Sequence, residues 1–401
     1  MKLYAQQGSM EGDKIETGLS KRLIDGVILS PRDVSLNNIR KKIDAYSAIN
    51  KNTEIYFDPQ LYAAFSHSGE GHKLGYLLED YSQYFKSIRR NQLTKESSII
   101  DLLKQSLIFQ GTLPGLTAIV APNIIISRSL DSIESVISSN FIRLARDVSV
   151  ELNIKKPLYV TLAINREALF KEQDVIEFVN DLTALDNPPD GFYILIATRS
   201  QEARSEIFNA DIISKVMYLN YALSINGFKV INGYSDLLAP FLSAAQGFGA
   251  ATGWWSNLRS FSIERFEPAI GRGRLPIQRY LSCALLNRIT FSELDQFRGM
   301  PSILNGLPTD NDYPVGGEPQ RNKEVLQSWD ALKKLIATVD ADNVEINTAI
   351  KTCNSMLEKA TNLYDRITSR YDLDQKSNDE HLPAIIEGIE LFTKLAELDF
   401  S

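Results

Sequence analysis

Short β-branched and aromatic runs that end in Gly, Pro, Asn or Asp recur along the chain, and helical periodicity fills most of the intervals between them. Eight such runs follow in order: KLYAQQG (Lys2 to Gly8), DGVILSP (Asp25 to Pro31), TEIYFDP (Thr53 to Pro59), LTAIVAP (Leu116 to Pro122), LYVTLAIN (Leu158 to Asn165), FYILIATR (Phe192 to Arg199), FKVINGY (Phe228 to Tyr234) and GAATGWW (Gly249 to Trp255). Most are nearly continuous in apolar residues, which suits parallel strands buried on both faces better than half-exposed antiparallel ones. Helix starts sit between them, with Ser35 before LNNIRKKIDAYSAI, Asp131 before SIESVISSNFIRLARDVSV, and Ser235-Asp236 before LLAPFLSAA. Eight strand and helix units over about 300 residues predict a closed (β/α)8 TIM-type barrel. The competing architecture, a doubly wound open sheet, would normally use fewer strands.

Two regions depart from the minimal repeat. More than fifty residues separate the third and fourth runs, passing through FSHSGEGHKLG and two helical stretches, Tyr76 to Ile88 and Glu96 to Ile108. An insertion of that length is expected to form a lid or a specificity element. After the last run the chain passes GRGRLP and a pair of helical stretches to about Arg298, then a Pro-, Gly- and Asp-rich segment that reads as a linker. From Asn322 the periodicity is helical and predicts three helices, the middle one long. The expected organisation is therefore a barrel over 1–300, a linker over 301–321 and a C-terminal helical region over 322–401. That region would either pack on the barrel or present an apolar stripe to a partner.

Composition narrows the function classes. Of 401 residues, 44% are hydrophobic and 23% charged, and 43 basic against 50 acidic side chains give a net charge of −7, as in a soluble globular protein. The chain has no apolar run of the roughly 18 to 20 residues a membrane span needs, and MKLYAQQGSMEG lacks a secretory apolar core, so a cytoplasmic location without membrane association is expected. The acidic balance disfavours nucleic acid, the cluster KSIRR (Lys86 to Arg90) being only a local basic patch. Cys283 and Cys353 are the only cysteines, too few for a disulfide framework or a thiolate zinc site. The histidines, His67, His72 and His381, show no convincing ligand spacing, so no metal site is expected and any cofactor stays open. Nucleophile-elbow, P-loop, dinucleotide-binding, zinc-protease and CxxC signatures are all absent.

In a barrel of this kind the chemistry gathers where the strands end. Asp58 is the one carboxylate directly at the end of an apolar run, with Pro59 fixing the turn after it, which makes it the candidate general acid, base or nucleophile. Its plainer roles are capping the next helix or pairing with Arg32. Arg32, Arg166 and Arg199 follow strands two, five and six, while Arg259, Arg265, Arg272 and Arg274 follow strand eight. A set of guanidinium forks at one mouth would bind a phosphate or carboxylate. The competing expectation pairs each with a nearby acid such as Asp33, Glu167, Glu202 or Glu264.

The stretch NGYSDLLAPFLSAAQGFGAATGWWSNLRSF has the small residues with which a barrel seats a phosphate on the amides of its last two loops, although closing the eighth strand also requires small residues. Asn165, Asn232 and Gly233 would orient a ligand there, and one of the adjacent Trp254 and Trp255 would stack on it, because neighbours along a strand face opposite sides. The spacing of this stretch, with Asp58 at the end of strand three, resembles the layout of tRNA-guanine transglycosylase barrels over about forty residues. The family's Asp-Ser-Gly-Gly stretch and zinc-binding cysteines have no counterpart, so the resemblance implies a nucleobase- or nucleotide-like ligand and carries over no residue roles.

Two functions are therefore expected. In the first, the protein is an enzyme of transferase or hydrolase type whose mouth binds an anionic, phosphate-bearing or nucleotide-like small molecule through Asp58, Arg32, Asn165, Arg199, Asn232, Gly233, Trp254, Trp255 and Arg259. In the second, it is an inactive barrel serving as a scaffold, meeting a protein partner or a second copy through its C-terminal helices.

Overall fold

The computed structural model describes residues 1–65, 73–199, 204–267, 276–340 and 345–398. Nine strands form one sheet: β1 (Lys2–Gln6), β2 (Gly26–Leu29), β3 (Glu54–Phe57), β4 (Ile119–Ala121), β5 (Ile125–Ile126), β6 (Leu158–Asn165), β7 (Gly191–Ala197), β8 (Lys229–Asn232) and β9 (Gly249–Thr252). Their order is β3-β2-β1-β9-β8-β7-β6-β4 with β5 also on β6, and the strand pairs are parallel. Because β4 and β5 are consecutive and both pair with β6, they make one stave, and the sheet has the eight staves of a (β/α)8 barrel. The predicted runs overshoot most strands by one to three residues at their C-terminal ends, where the chain leaves the ladder to build the mouth.

The strand order leaves a seam between β3 and β4. Thr117 closes it by donating its N–H to the Ile55 carbonyl at 2.8 Å and accepting the Ile55 N–H on its hydroxyl at 2.8 Å. Beyond that point the Gln110 side chain takes the place of a neighbouring strand. Its Oε1 accepts the Val120 N–H at 2.9 Å and its Nε2 donates to the Val120 carbonyl at 2.7 Å, so both backbone groups of buried Val120 are paired. On the opposite wall Gly249 lets β9 pass the Tyr4 ring, since a Cβ there would lie 2.4 Å from that ring.

Among the described residues, twelve helices follow the strands or extend beyond them: α1 (Lys14–Ser20), α2 (Leu36–Ile49), α3 (Glu96–Gly111), α4 (Ile133–Glu151), α5 (Glu172–Thr183), α6 (Arg204–Ile207), α7 (Ala210–Ile225), α8 (Ala239–Ala244), α9 (Phe291–Phe297), α10 (Arg321–Asp340), α11 (Ile346–Thr368) and α12 (His381–Leu395). Within the insertion, α3 is as expected, but 76–88 forms turns and a 3-10 turn (Gly75–Leu77) instead of a helix. Tyr81 and Tyr84 dock those turns on Phe57 and Phe109, so apolar packing, without helical hydrogen bonding, explains the periodicity. After the barrel, the first of the two expected helical stretches is an antiparallel hairpin, β10 (Arg279–Ser282) with β11 (Asn287–Thr290), and only α9 is helical. The stretch read as a linker contains buried Ile303, Asn305, Thr309 and Tyr313.

The three C-terminal helices pack on the barrel. Helix α10 lies against α1, β1 and α8, the place of an eighth barrel helix, with Trp329 fully buried and Gly18 of α1 leaving room for its ring. Helix α11 covers the six-residue α8, and α12 lies along α7 with Gly388 against Ile213. None of the helices among the described residues is long and apolar enough to cross a membrane.

The seam is testable. Gln110→Leu keeps the volume but strips the Val120 backbone of its partners. It should lower unfolding free energy in urea by about 2 to 4 kcal/mol, the cost of two unsatisfied buried groups. A loss under 0.5 kcal/mol would mean that the seam is held by other contacts.

Candidate functional site at the barrel mouth

Asp58 stands one residue beyond β3 but stays in the ladder, its N–H donating to the Leu29 carbonyl at 3.1 Å. Pro59 cannot extend the ladder, and Gln60 turns the chain with a φ of 55°. The Gln60 N–H comes back to Asp58 Oδ1 at 3.1 Å, and the 3-10 turn Leu61–Phe65 swings Tyr62 over the carboxyl, where its hydroxyl donates to Oδ2 at 2.7 Å. From β7, the Tyr193 hydroxyl lies 3.5 Å from the same oxygen and 3.2 Å from Gln6 Oε1 at the end of β1. Asp58, Tyr62 and Gln6 are wholly buried.

A buried guanidinium completes the group. Arg265, in the loop after β9, donates to the Tyr234 hydroxyl and to Asp33 Oδ2, the latter at 3.0 Å. Arg32 holds the other Asp33 oxygen at 2.6 Å and donates to the Arg265 carbonyl at 2.9 Å. Tyr234 has a φ of 54°, a left-handed conformation that is uncommon and costly for a bulky side chain. An aromatic cover seals the mouth: Phe261 meets Tyr62 edge-on at 5.1 Å and Tyr234 at 5.2 Å, and Phe266 meets Tyr62 at 5.9 Å. The insertion contributes at this point, because the Lys73 N–H donates to the Phe266 carbonyl at 3.0 Å.

Burial is the dominant influence on Asp58 and pushes its carboxyl up to about 6, against the opposing pull of Tyr62, the Gln60 N–H, Arg265 and Tyr193. Arg265 would lose its proton more readily through burial, but Tyr234 and Asp33, with Tyr62 and Asp58, outweigh that and hold it firmly charged. Burial also raises Tyr62, Tyr193 and Tyr234, which therefore remain hydroxyl donors at neutral pH. The arrangement is a carboxyl that can gain or lose a proton near neutrality, beside phenols and a fixed positive charge. Such a group is suited to general acid–base work.

The other expected site residues do not converge on Asp58. Arg199 is exposed and pairs with Glu167, and Arg259 pairs with Glu324 of α10 at 3.4 Å while donating to the Gly253 and Trp254 carbonyls. Arg166 stacks on Phe170 and lies 3.9 Å from Glu206. Asn232 faces the helical layer in a reciprocal amide pair with Asn220 of α7, at 2.7 and 2.9 Å. Asn165 is half-buried at the end of β6, with Oδ1 unpartnered among the described residues. The Trp254 indole donates to the Ser9 carbonyl at 2.9 Å beneath Lys14, and Trp255 packs half-buried on the core.

The amides expected to seat a phosphate are engaged, Gly233 N–H with the Ile194 carbonyl, Ser235 N–H with Ala251 and Gly253 N–H with Leu258. The glycines serve packing: a Cβ at Gly233 would lie 2.4 Å from Leu195. His67, His72, Arg272, Arg274 and Glu202 lie outside the described residues, and His381 is buried with Nε2 3.0 Å from the Leu286 carbonyl. Burial pushes both cysteine thiols up to about 12, which leaves them poor nucleophiles.

Tyr62 and Tyr193 were not legible as site residues. Tyr62 follows Asp58 by four positions in DPQLY, a spacing that hints at the contact, but Tyr193 lies inside a strand and nothing in FYILIATR marks it out. No family model matches the chain, and a search of curated proteins finds no match. Among solved structures, dihydrodipicolinate synthase from Bacillus clausii is similar at 11% identity and a TM-score of 0.33, with 99% of this chain and 96% of that one covered. ScGas2 in complex with compound 8 is similar at 12% identity and a TM-score of 0.35, with 86% and 88% covered.

The raised carboxyl sets a pH dependence. A folded value of about 6 against 3.8 for the free side chain means that the fold binds this proton more tightly than the unfolded chain does. The resulting stabilisation is complete below about pH 3.8 and lost as pH rises through 6, on the order of 3 kcal/mol in all. Urea unfolding of wild type and Asp58→Asn between pH 4 and 7.5 should show the variant gaining on wild type as pH rises. A difference that stays constant with pH would place the carboxyl at an ordinary value.

Proposed function

We propose that the protein is an enzyme whose barrel mouth takes a small anionic molecule, with Asp58 exchanging a proton with it in a transfer or hydrolysis reaction. The observation that carries this reading is the buried Asp58 carboxyl, raised to about 6 and facing Tyr62, Tyr193 and Arg265 at the C-terminal end of the barrel. Gln6 Nε2 and Arg265 Nε are buried in the same cluster without hydrogen-bond partners among the described residues, two donors suited to an anionic group. Arg265 supplies the positive charge in place of the exposed Arg199 and the distant Arg259. Access requires Phe261 and Phe266 to move off Tyr62, so the reaction would run in a site closed to water.

One observation favours the scaffold reading. The outlying arginines are each engaged with an acid, as in Arg199 with Glu167 and Arg259 with Glu324, which is how a structural surface disposes of charge. The apolar faces of α10, α11 and α12, where a partner was expected, carry buried residues packed against the barrel.

A thermal-shift screen of carboxylates, sugar phosphates and nucleotides separates the two. A ligand at about a hundred times its dissociation constant adds about 2.7 kcal/mol to stability. The enzyme reading expects at least one anion to raise the melting temperature of wild type. Arg265→Lys should lose that shift, while Asp58→Asn should keep binding and abolish turnover. Failure of every anion to move wild type would leave the scaffold reading standing.

A further inference from the structure

The N-terminal end of the barrel, opposite Asp58, carries an open pocket of about 400 Å³, within the range of roughly 300 to 1,000 Å³ typical of small-molecule sites. Strand starts build it. Glu54 and Tyr56 come from β3, Tyr159 from β6 and Lys229 from the first position of β8, while Phe228 and Phe248 immediately precede β8 and β9. The Tyr56 and Tyr159 rings meet edge-on at 5.7 Å, and Tyr4 joins Tyr56 at 5.4 Å, so the floor is a rigid aromatic layer.

The charges around this floor are unequal. Glu54 is already engaged on both oxygens, by Lys2 and by the hydroxyls of Tyr4 at 2.6 Å and Tyr56 at 3.1 Å. Asp190 is held by Arg146 at 2.8 Å and by the Leu158 N–H at 2.7 Å. Lys229 is exposed, stands 5.0 Å over the Phe248 ring and has no ion pair among the described residues, and Lys2 lies over the same ring at 5.2 Å. The acids are thus neutralised within the protein, while one ammonium at the rim has no counter-ion among the described residues.

We propose that this pocket binds a planar aromatic anion, its ring against Tyr159 and Phe228 and its carboxylate on Lys229. Aromatic walls favour a flat π-system by edge and offset contacts, and an ammonium on a flexible stem can follow an anion to the rim. A cationic ligand is disfavoured because Lys2 and Lys229 already occupy the ring face that would attract it. The pocket is separate from the mouth: Glu54 starts β3 and Asp58 stands just past its end, four residues on and about 13 Å along the strand direction. This proposal therefore does not depend on the mouth being catalytic.

Titration of 2-naphthoate into the full chain at pH 7, followed by its fluorescence and by saturation-transfer NMR, tests the assignment. The expected result is a dissociation constant below about 1 mM, weakened about tenfold by Lys229→Glu and unchanged by Arg265→Lys, the variant that removes anion binding at the mouth. Lys229 is exposed, so its replacement leaves the fold intact, and the same variant should gain affinity for 1-naphthylmethylamine. Phe228→Leu should weaken naphthoate without altering the response to charge. The proposal is overturned if wild type does not bind naphthoate, if Lys229→Glu binds it equally well, or if Arg265→Lys abolishes binding, which would move the anion to the mouth.

Discussion

A barrel of buried parallel strands tolerates no unpaired edge, and in this chain that constraint comes to a point between β3 and β4. The ladder lapses there, and Thr117 and the side chain of Gln110 supply the missing donors and acceptors. Everything at the mouth depends on it. Held by the ladder to β2 on one side and by Thr117 on the other, β3 cannot shift, and Asp58 at its end is fixed while still bonded to the Leu29 carbonyl. The Asp58 carboxyl is placed by sheet closure, with the loops adding its partners.

Two aspartates near the strand ends show how the barrel sorts charge. Burial raises both, but Arg288 grips Asp236 through two bonds, at 2.6 and 2.8 Å, and carries it below the ordinary carboxylate range. Asp58 receives mostly neutral donors, with Arg265 acting from further off, and burial prevails. The same residue type is held as an anion in one place and is a titrating acid in the other. The difference lies in whether a guanidinium fork or a phenol answers the carboxyl.

The C-terminal helices are part of the same economy of surface. Helix α8 has only six residues and cannot cover the wall formed by β8 and β9, so α10 and α11 take over that task and α12 extends it along α7. The hairpin β10–β11 is tied down by Arg288 on Asp236 and by Arg279 on Asp374, linking the chain beyond the barrel to both the mouth and the tail. Of the arginines that looked like an anion-binding set, Arg259 adds a similar tie, pairing with Glu324 of α10.

The sequence by itself determined the eight strands, their parallel burial, the helical tail and the position of Asp58, because apolar runs, their breakers and a strand-ending Asp-Pro are local signals. It misread 279–290 as helical, since RYLSCALLNRIT mixes short β-formers with a helix-like middle and the pairing of Arg279 with Thr290 is a tertiary event. It misread 76–88 for the related reason that apolar spacing records what is buried and not which hydrogen bonds form. Only the tertiary structure decided what surrounds Asp58. Tyr193 and Arg265 reach the mouth from 135 and 207 residues away, whereas Asn232, one residue before a glycine turn, faces α7. The register of the closed sheet chooses which side chains point inward and which arginine finds an acid, and neither choice is written in any one segment of the chain.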